Sequence, residues 1–482
     1  MSMMAKTEAA GATGLHPEVL QFSTSLPLDI QLLREDLVGS MAHLTMLSRR
    51  EIVPREAAAQ IHAGLAAIWK ETQAGTLRLP EEEDVHMAVE AELTSRLGPT
   101  AGLLHSARSR NDQVALDLRL HVRESCAVIL EMLGRFTKAL ADRAEAELDT
   151  VIPSYTHRQR AQPVSLGYFF SAYAAMFARD ADAFRFVLGQ TDALPLGVGA
   201  IAGTSLPTDR NITRELLQFS KLTLNGMDTV GDRDFALDYT YATARFMLHA
   251  SRLAADFIDF TSAEFGYAKL DGDIACGSSM MPQKRNPDVF ELVRGKSGRA
   301  VGNLVNLLVT VKGLPAGYNR DLQEDRAPLL ETGPLVRSVL SILELALPRV
   351  KFDTARTRAA VEGDAMQATD IAEALVRTGM PFRTAYKATG ALVRKCQEAG
   401  IPLAKVTPEL ARECDPAFTP EVLRAADPFN AVAAKKSAGG TAPEAVKSQV
   451  ETLRAAGEQA IRDAQAVPRL AALFDALSAI KL

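Results

Sequence analysis

The chain is dominated by long segments in which apolar residues recur at the spacing of an α-helix. Residues 111–148 show this pattern most clearly, with one apolar flank formed by Val114, Leu118, Val122, Ile129 and Leu133. At 1.5 Å per residue, a helix of this length would extend for about 55 Å. Four similar runs occur at residues 162–188, 233–265, 288–311 and 326–347. Strand signals are sparse, so the pattern predicts an all-α fold built on five long helices.

Proline and glycine mark where these segments end. Helix interiors exclude proline, and long proline-free stretches coincide with the runs. A Gly-Pro-Thr-Ala-Gly stretch at residues 98–102 precedes the first long helix, and shorter helices broken by glycine follow residue 361. We therefore predict an N-terminal helical domain (1–110), a central bundle (111–360) and a C-terminal helical domain (361–482). The first fifteen or so residues look disordered.

Composition and charge narrow the classes of partner. The chain has 54 Lys+Arg against 59 Asp+Glu, a net charge of −5. It therefore lacks the excess positive charge that is typical of proteins that bind nucleic acid or an anionic membrane. Its four cysteines and eight histidines show no metal-ligand spacing, so we expect no metal. The N-terminus does not resemble a signal peptide, and we expect a cytoplasmic protein that acts on a small molecule.

The least ordinary segment runs from Gly277 to Asp288. Its glycine and two prolines exclude a continuous helix, which predicts a loop that leads into the helix starting near Asp288. The loop carries two serines, an amide, Lys284 and Arg285, and cations next to helix N-terminal amides favour an anionic ligand. On composition alone, a solvated surface loop explains the segment equally well.

Three other polar clusters flank predicted long helices, at residues 105–112, 155–160 and 318–326. A single cluster of this kind is usually a helix cap with solubilising charge. Four such clusters at bundle ends, rich in Ser, His, Lys, Arg and Asn, indicate a shared site.

The motif Gly-Ser-Ser-x-Met-Pro-x-Lys-x-Asn at residues 277–286 resembles the signature of the fumarase/aspartase superfamily. The blocks at 108–114, 155–163 and 318–325 resemble its argininosuccinate lyase branch, and the resemblance runs from about Phe22 to the C-terminus. It implies a three-domain lyase fold whose central five-helix bundle joins a tetrameric helical core. Each active site would then be shared between three subunits of a homotetramer.

The resemblance also implies a reaction, the reversible β-elimination of argininosuccinate to arginine and fumarate in arginine biosynthesis, without a cofactor. Such a carbon–nitrogen lyase needs a base, stabilisation of the carbanion-like intermediate, and an acid for the departing nitrogen. By resemblance, Ser278 and His157 transfer protons, Lys284 stabilises negative charge, and Glu291 orients the histidine. Which of Ser278 and His157 is the base stays open, and we favour Ser278.

The resemblance assigns further positions to substrate binding. The full set is Ser25, Arg110, Asn111, Thr156, Arg233, Asn286, Tyr318, Gln323 and Arg326.

This sequence departs from the pattern at Arg326, where lysine is expected, at Ala107, where glycine is usual, and in a missing Trp-Gly-Gly-Arg-Phe block near the N-terminus. These departures leave room for a lyase acting on another N-substituted aspartate, such as ethylenediamine-disuccinate. A non-catalytic, crystallin-like structural homologue is the remaining alternative, although all four catalytic positions are filled.

Overall fold

The computed structural model describes residues 16–482, so the predicted disorder of the first fifteen residues lies outside the described residues. The helices are α1 Pro17–Ser23, α2 Leu26–Asp29, α3 Leu33–Arg49, α4 Arg55–Ala74, α5 Val85–Leu97, α6 Arg110–Ala146, α7 Leu166–Thr191, α8 Arg210–Leu216, α9 Gly226–Gly231, α10 Asp234–Thr261, α11 Asp288–Val311, α12 Arg326–Ala346, α13 Thr354–Glu362, α14 Ala368–Arg377, α15 Phe382–Glu398, α16 Pro408–Arg412, α17 Pro420–Leu423, α18 Pro428–Ala434, α19 Pro443–Ala466 and α20 Leu470–Ser478. The strands are β1 Val151–Thr156, β2 Gln159–Ser165, β3 Ala193–Leu194, β4 Lys221–Leu222, β5 Ala268–Leu270, β6 Cys276–Gly277, β7 Arg285–Asn286 and β8 Val350–Phe352. They pair as β1–β2, β3–β4, β5–β8 and β6–β7.

The predicted all-α architecture is confirmed, and the five predicted long helices are α6, α7, α10, α11 and α12. The expectation of only shorter helices after residue 361 is wrong for α19, which has 24 residues, as many as α11. Helix α6 begins at Arg110 because Ser109 and Asp112 form a capping box, in which each side chain accepts a backbone N–H from the other end of the turn. The predicted apolar flank of α6 is buried along most of its length.

The centre of the bundle is packed by aromatic side chains and, at one point, by direct backbone contact. Phe177 of α7 packs against Phe136 of α6 and Phe246 of α10, with ring centroids 5.1 and 5.7 Å apart. Where α19 crosses α6, a Cβ added to Gly134 would lie 2.6 Å from the carbonyl oxygen of Gly457. Any side chain at this crossing would therefore force the two helices apart.

The last 120 or so residues of the chain do not share one core. Residues 365–426 contain a separate hydrophobic cluster that includes Ile371, Leu392 and Phe418. By contrast, α19 packs along α6, and α20 packs on α3, with Phe474 stacked on Trp69 of α4 at 4.0 Å. The predicted region 361–482 therefore comprises a separately packed unit followed by two helices that return to the main core.

The polar cluster at residues 155–160 does not open the second long helix directly. It forms the end of the β1–β2 hairpin, and α7 starts only after Ser165, whose hydroxyl accepts the N–H of Tyr168. The two-residue turn consists of His157 and Arg158, with φ of 52° and 60°. Such turns normally use Asn or Gly, so the hairpin lacks its usual sequence signal.

Helix α11 is only narrowly covered by the rest of the chain. Four of its 24 residues are buried, namely Phe290, Val293, Ala300 and Leu307. Large apolar side chains on its other faces are exposed: Leu292, Val301, Val305, Leu308 and Val309. In the part of the chain from residue 16 onward, no helix combines the length and apolarity needed to cross a bilayer.

Candidate active site

The predicted site residues lie at two opposite ends of the bundle. The first, here called the arginine end, contains Ser25, Arg110, Asn111, Arg233, Tyr318, Gln323 and Arg326, where α6, α10 and α12 begin. The second, the serine end, contains Thr156, His157, Ser278, Lys284, Asn286 and Glu291, where α10 ends and α11 begins. Because α10 has 28 residues, the two ends are about 42 Å apart along its axis.

At the arginine end, the segment before α2 is held by polar contacts. The side-chain amide of Gln323 donates to the carbonyl of Ser23 at 2.7 Å, and the N–H of Ser25 donates to the carbonyl of Glu83 at 2.8 Å. The hydroxyl of Ser25 donates to Asp29 Oδ2 at 2.6 Å. These contacts bring the predicted binding residues Ser25 and Gln323 close together, with Ser25 itself buried.

The start of α6 fixes a glycine-rich loop above it. Asp112 Oδ2 accepts the N–H groups of Gly197 and Gly199, each at 2.9 Å, and burial raises the pKa of Asp112 to about 6. Asn111 Nδ2 donates to the carbonyl of Ala200 at 3.1 Å. The position of Asn111 is thus defined by the loop that it holds.

The guanidinium groups of Arg233 and Arg326, two of the predicted binding residues, both bind the carboxylate of Asp325. Arg233 is 1% exposed, with Nε 2.5 Å from Asp325 Oδ2, and Arg326 is 4% exposed, with Nη1 2.9 Å from Asp325 Oδ1. Asp325 is fully buried, so it requires cationic partners. Substrate contact by these two arginines stays a prediction, and in the chain alone their guanidinium groups are buried at the start of α10 and α12.

His86 lies in a buried network of charged side chains to which the sequence patterns give no catalytic or binding role. His86 Nε2 lies 2.8 Å from Asp117 Oδ2, and its Nδ1 lies 3.6 Å from Asp84 Oδ1. Asp84 Oδ2 in turn lies 3.0 Å from Arg110 Nη1. Burial lowers the pKa of His86, but the two aspartates outweigh it and raise that pKa to about 10. The sequence Glu-Asp-Val-His at residues 83–86 was the one available signal.

The same network contains a set of donor atoms with metal-ligand spacing. One donor each from Asp36, His86 and Asp117 lies within 4.8 Å of the others. However, His86 is engaged with Asp117, and Gln113 Nε2 donates to Asp36 Oδ1 at 2.5 Å. The arrangement is that of an ion-pair network.

We expect His86→Gln to lower the melting temperature most at acidic and neutral pH. Because the folded-state pKa is about 10 and the ordinary value is 6.5, the protonated ring stabilises the fold fully below pH 6.5 and loses this effect as pH rises toward 10. The difference in Tm between wild type and variant should therefore shrink across this range. Thermal unfolding followed by circular dichroism measures it. His62→Gln, which removes a ring bonded to the carbonyl of Leu477, is the control, and a constant difference for His86→Gln would contradict the assignment.

At the serine end, Ser278 sits in a loop closed by the short β6–β7 pair, in which Cys276 faces Asn286. Ser278 Oγ accepts the N–H of Met281 at 3.0 Å and of Met280 at 3.3 Å. Two donors on one oxygen stabilise negative charge on it. The side chain of Lys284 is exposed, three residues beyond this turn.

The hairpin presents His157 at its tip. Arg158 anchors the turn through an ion pair with Asp259 of α10 at 2.7 Å, and the hydroxyls of Tyr155 and Tyr267 are 2.7 Å apart. The side chains of Thr156 and His157 are exposed. Left-handed backbone at two non-glycine residues costs about 1–2 kcal/mol each, and such strain is typical of functional sites.

The catalytic residues predicted for the serine end are not joined within the chain. Between residues 16 and 482, no hydrogen bond or ion pair connects the hairpin turn to residues 277–291, so Glu291 makes neither with the ring of His157. The pairing predicted for Glu291 and His157 is thus not an intrachain contact.

Ala107, which stands where the resemblance expects glycine, has φ of 58°. Glycine adopts this conformation freely, whereas alanine pays about 1–2 kcal/mol. The departure noted in the sequence therefore has a conformational cost next to the start of α6.

Comparisons with known proteins agree with this geometry. A family model described as lyase matches residues 17–302, and another, described as argininosuccinate lyase C-terminal, matches residues 365–433. An argininosuccinate lyase of Synechococcus sp. (strain JA-3-3Ab) is 43% identical over 450 residues, covering 93% of this chain and 92% of the relative. An argininosuccinate lyase of Syntrophus aciditrophicus (strain SB) is 42% identical over 433 residues, covering 90% of this chain and 92% of that relative.

Among solved structures, an EDDS lyase in complex with formate has a TM-score of 0.81 and 28% identity, covering 95% of this chain and 93% of that one. A fumarate lyase from Mesorhizobium sp. BNC1, at 17% identity, shares the fold with a TM-score of 0.71, covering 92% and 99%. The chain has matching blocks at both ends of the bundle, and it is 43% identical to the Synechococcus argininosuccinate lyase over 93% of its length. It therefore belongs to the argininosuccinate lyase family of the fumarase/aspartase superfamily.

Proposed function

We propose that this chain catalyses the reversible cleavage of argininosuccinate into L-arginine and fumarate. The observation that carries the proposal is the Ser278 loop, in which two backbone N–H groups face the hydroxyl oxygen. The 43% identity to a curated argininosuccinate lyase over 93% of the chain supports the choice of substrate.

In the proposed mechanism, Ser278, as the oxyanion, removes a proton from the carbon next to a carboxylate of the succinyl group. The electron pair is held as an aci-carboxylate, which Lys284 stabilises by its charge. The pair then forms the carbon–carbon double bond of fumarate as the carbon–nitrogen bond breaks. A proton delivered from the His157 side completes the departing guanidinium of arginine.

The second candidate is a lyase acting on another N-substituted aspartate. The structural similarity to an EDDS lyase supports it, but identity to that protein is 28% against 43% for the argininosuccinate lyase from Synechococcus sp.. The two candidates share the elimination chemistry and differ in the nitrogen substituent.

The test is release of fumarate, followed by ultraviolet absorbance, from argininosuccinate and from ethylenediamine-disuccinate in parallel. We expect kcat/KM for argininosuccinate to be at least about 100-fold higher, because the arginine end must match a substituent that carries a guanidinium group rather than one that carries a second aspartate. The reverse order would support the second candidate, and activity on neither substrate would contradict the elimination altogether.

We further propose that the active form is a homotetramer in which three subunits contribute to each site. The separation of about 42 Å between the two ends supports this, since one small substrate cannot reach both ends of one chain. The exposed apolar faces of α11, including Val305 and Val309, supply a surface for association. Gly295, Gly298 and Gly302 of the same helix have open space where a Cβ would be, which allows close approach of another helix.

Val309→Glu should therefore reduce the mass of the particle in solution. Light scattering on the eluting protein should give four times the 52.0 kDa chain mass for wild type and a smaller mass for the variant, because burying the carboxylate is unfavourable. Val376→Glu, at an exposed position of α14, should leave the mass unchanged. A monomeric wild type would rule out the tetramer.

We also propose that the chain divides into three domains, at residues 1–110, 111–360 and 361–482, and that the protein is cytoplasmic. The separate core of residues 365–426 supports the first, and the proposed small-molecule biosynthetic substrate supports the second.

A further inference from the structure

A cavity of about 650 Å³ lies between the helical unit of residues 365–426 and the hairpin that carries His157. Its walls include one face of α14, the short α18, and Gln162 and Val164 of β2. Its floor is the loop of residues 435–441, which has the sequence Lys-Lys-Ser-Ala-Gly-Gly-Thr. None of the predicted site residues lines this cavity, so the proposed reaction does not account for it.

The floor of the cavity is fixed by its contacts. Thr441 Oγ1 accepts the N–H of Ser165 at 2.9 Å, and Gln449 Nε2 donates to the carbonyl of Gly440 at 2.9 Å. A Cβ on Gly440 would lie 2.2 Å from the carbonyl oxygen of Lys435, so only glycine fits there. The loop is therefore a defined surface for a ligand.

Asp370 of α14 has an unmet bonding requirement in this cavity. The residue is 4% exposed, and its Oδ1 accepts a hydrogen bond from Lys435 Nζ at 2.5 Å. Its Oδ2 is buried and has no partner within the described chain. A buried carboxylate with one oxygen lacking a donor is unfavourable, and a cationic group bound in the cavity would offset its charge.

Four further charged side chains line the cavity without an ion-pair partner within 4.0 Å among residues 16–482. They are Arg377 and Arg424, which are cationic, and Glu373 and Glu421, which are anionic. Arg377 ends α14 and Arg424 follows α17, and guanidinium groups bind a carboxylate through paired hydrogen bonds. The glutamates, together with the carboxylate of Asp370, suit more than one positive group.

We propose that this cavity binds a free basic L-amino acid, with its α-carboxylate on Arg377 and Arg424 and its positive groups on Asp370 and the two glutamates. This ligand class uses both signs of unpaired charge that line the cavity, whereas a simple anion would use only the arginines. The proposal does not depend on the proposed reaction, since the cavity shares no residue with either end of that site.

The test is calorimetric titration of the full-length protein with L-lysine and with L-arginine. At least one should bind, and the double variant Arg377→Gln/Arg424→Gln should weaken that binding tenfold or more. The matched control Arg383→Gln/Arg412→Gln removes two exposed arginines that do not line the cavity and should leave the affinity unchanged. Cadaverine and agmatine, which lack the α-carboxylate, should bind at least tenfold more weakly.

Absence of binding by both amino acids would overturn the proposal. Binding that survives in the Arg377→Gln/Arg424→Gln variant would also overturn it, because the amino acid would then be held elsewhere, as L-arginine would be at the catalytic site. Tighter binding of inorganic phosphate in competition with the amino acid would mean an anion site instead. Because these readouts measure binding, an inactive enzyme with an occupied cavity would refute only the proposed reaction.

Discussion

Replacing Ser278 by alanine should lower kcat for fumarate formation by about three orders of magnitude, the usual contribution of a positioned proton-transfer group. The variant loses the oxygen that accepts the N–H groups of Met280 and Met281. KM should change little, because the substrate contacts are proposed to come mostly from the arginine end. Steady-state assays of fumarate absorbance at several substrate concentrations measure both parameters.

Ser279→Ala provides a matched control within the same loop. Ser279 is exposed and its hydroxyl makes no hydrogen bond within the described chain, so this variant should retain activity within about threefold of wild type. Equal losses for the two variants would indicate that the loop tolerates no change, and a fully active Ser278→Ala would remove Ser278 from the chemistry.

Mixing two inactive variants from opposite ends of the bundle should restore about a quarter of wild-type activity. Asn111→Leu damages the arginine end and Ser278→Ala the serine end. With random assembly at equal amounts, half of the chains carry an intact version of each end. If every site takes its two ends from different chains, about one site in four is then intact.

The control for this experiment pairs Ser278→Ala with Lys284→Leu. Both changes lie in the loop of residues 277–288, which one chain supplies as a unit, so mixed assemblies should stay inactive. Subunits must be exchanged by reversible dissociation, and mixed assemblies must be verified by mass. No recovery for the opposite-end pair in verified mixtures would contradict a site shared between chains.

The sequence predicted the five long helices before residue 347, though not α19, to within a few residues at most of their ends because proline, glycine and capping residues mark those ends. Helix α11, for example, was expected at 288–311 and occupies Asp288–Val311. The β1–β2 hairpin was not foreseen, since its strands are rich in polar residues and its turn is formed by His157 and Arg158. A positive φ at such residues is set by tertiary contacts such as the Arg158–Asp259 ion pair.

The candidate site was predictable as a set of residues but not as an arrangement. Motif blocks identified both ends, whereas the burial of Arg233 against Asp325 joins residues 92 positions apart, and no local pattern indicates such a partner. The His86 network is similar, because Asp117 lies on α6, 31 residues further along the chain. Burial of charged groups depends on which helices meet, and the sequence does not state this.

The return of α19 to α6 has a consequence for synthesis of the protein. The backbone contact between Gly134 and Gly457 joins residues more than 300 positions apart. Contacts of such separation form late, since the intervening chain must be ordered first. During translation, the face of α6 that α19 covers therefore stays uncovered until residues 443–466 have left the ribosome. The nascent chain therefore exposes an aggregation-prone apolar helix face for most of its synthesis, and we expect the yield of folded protein to depend on chaperones.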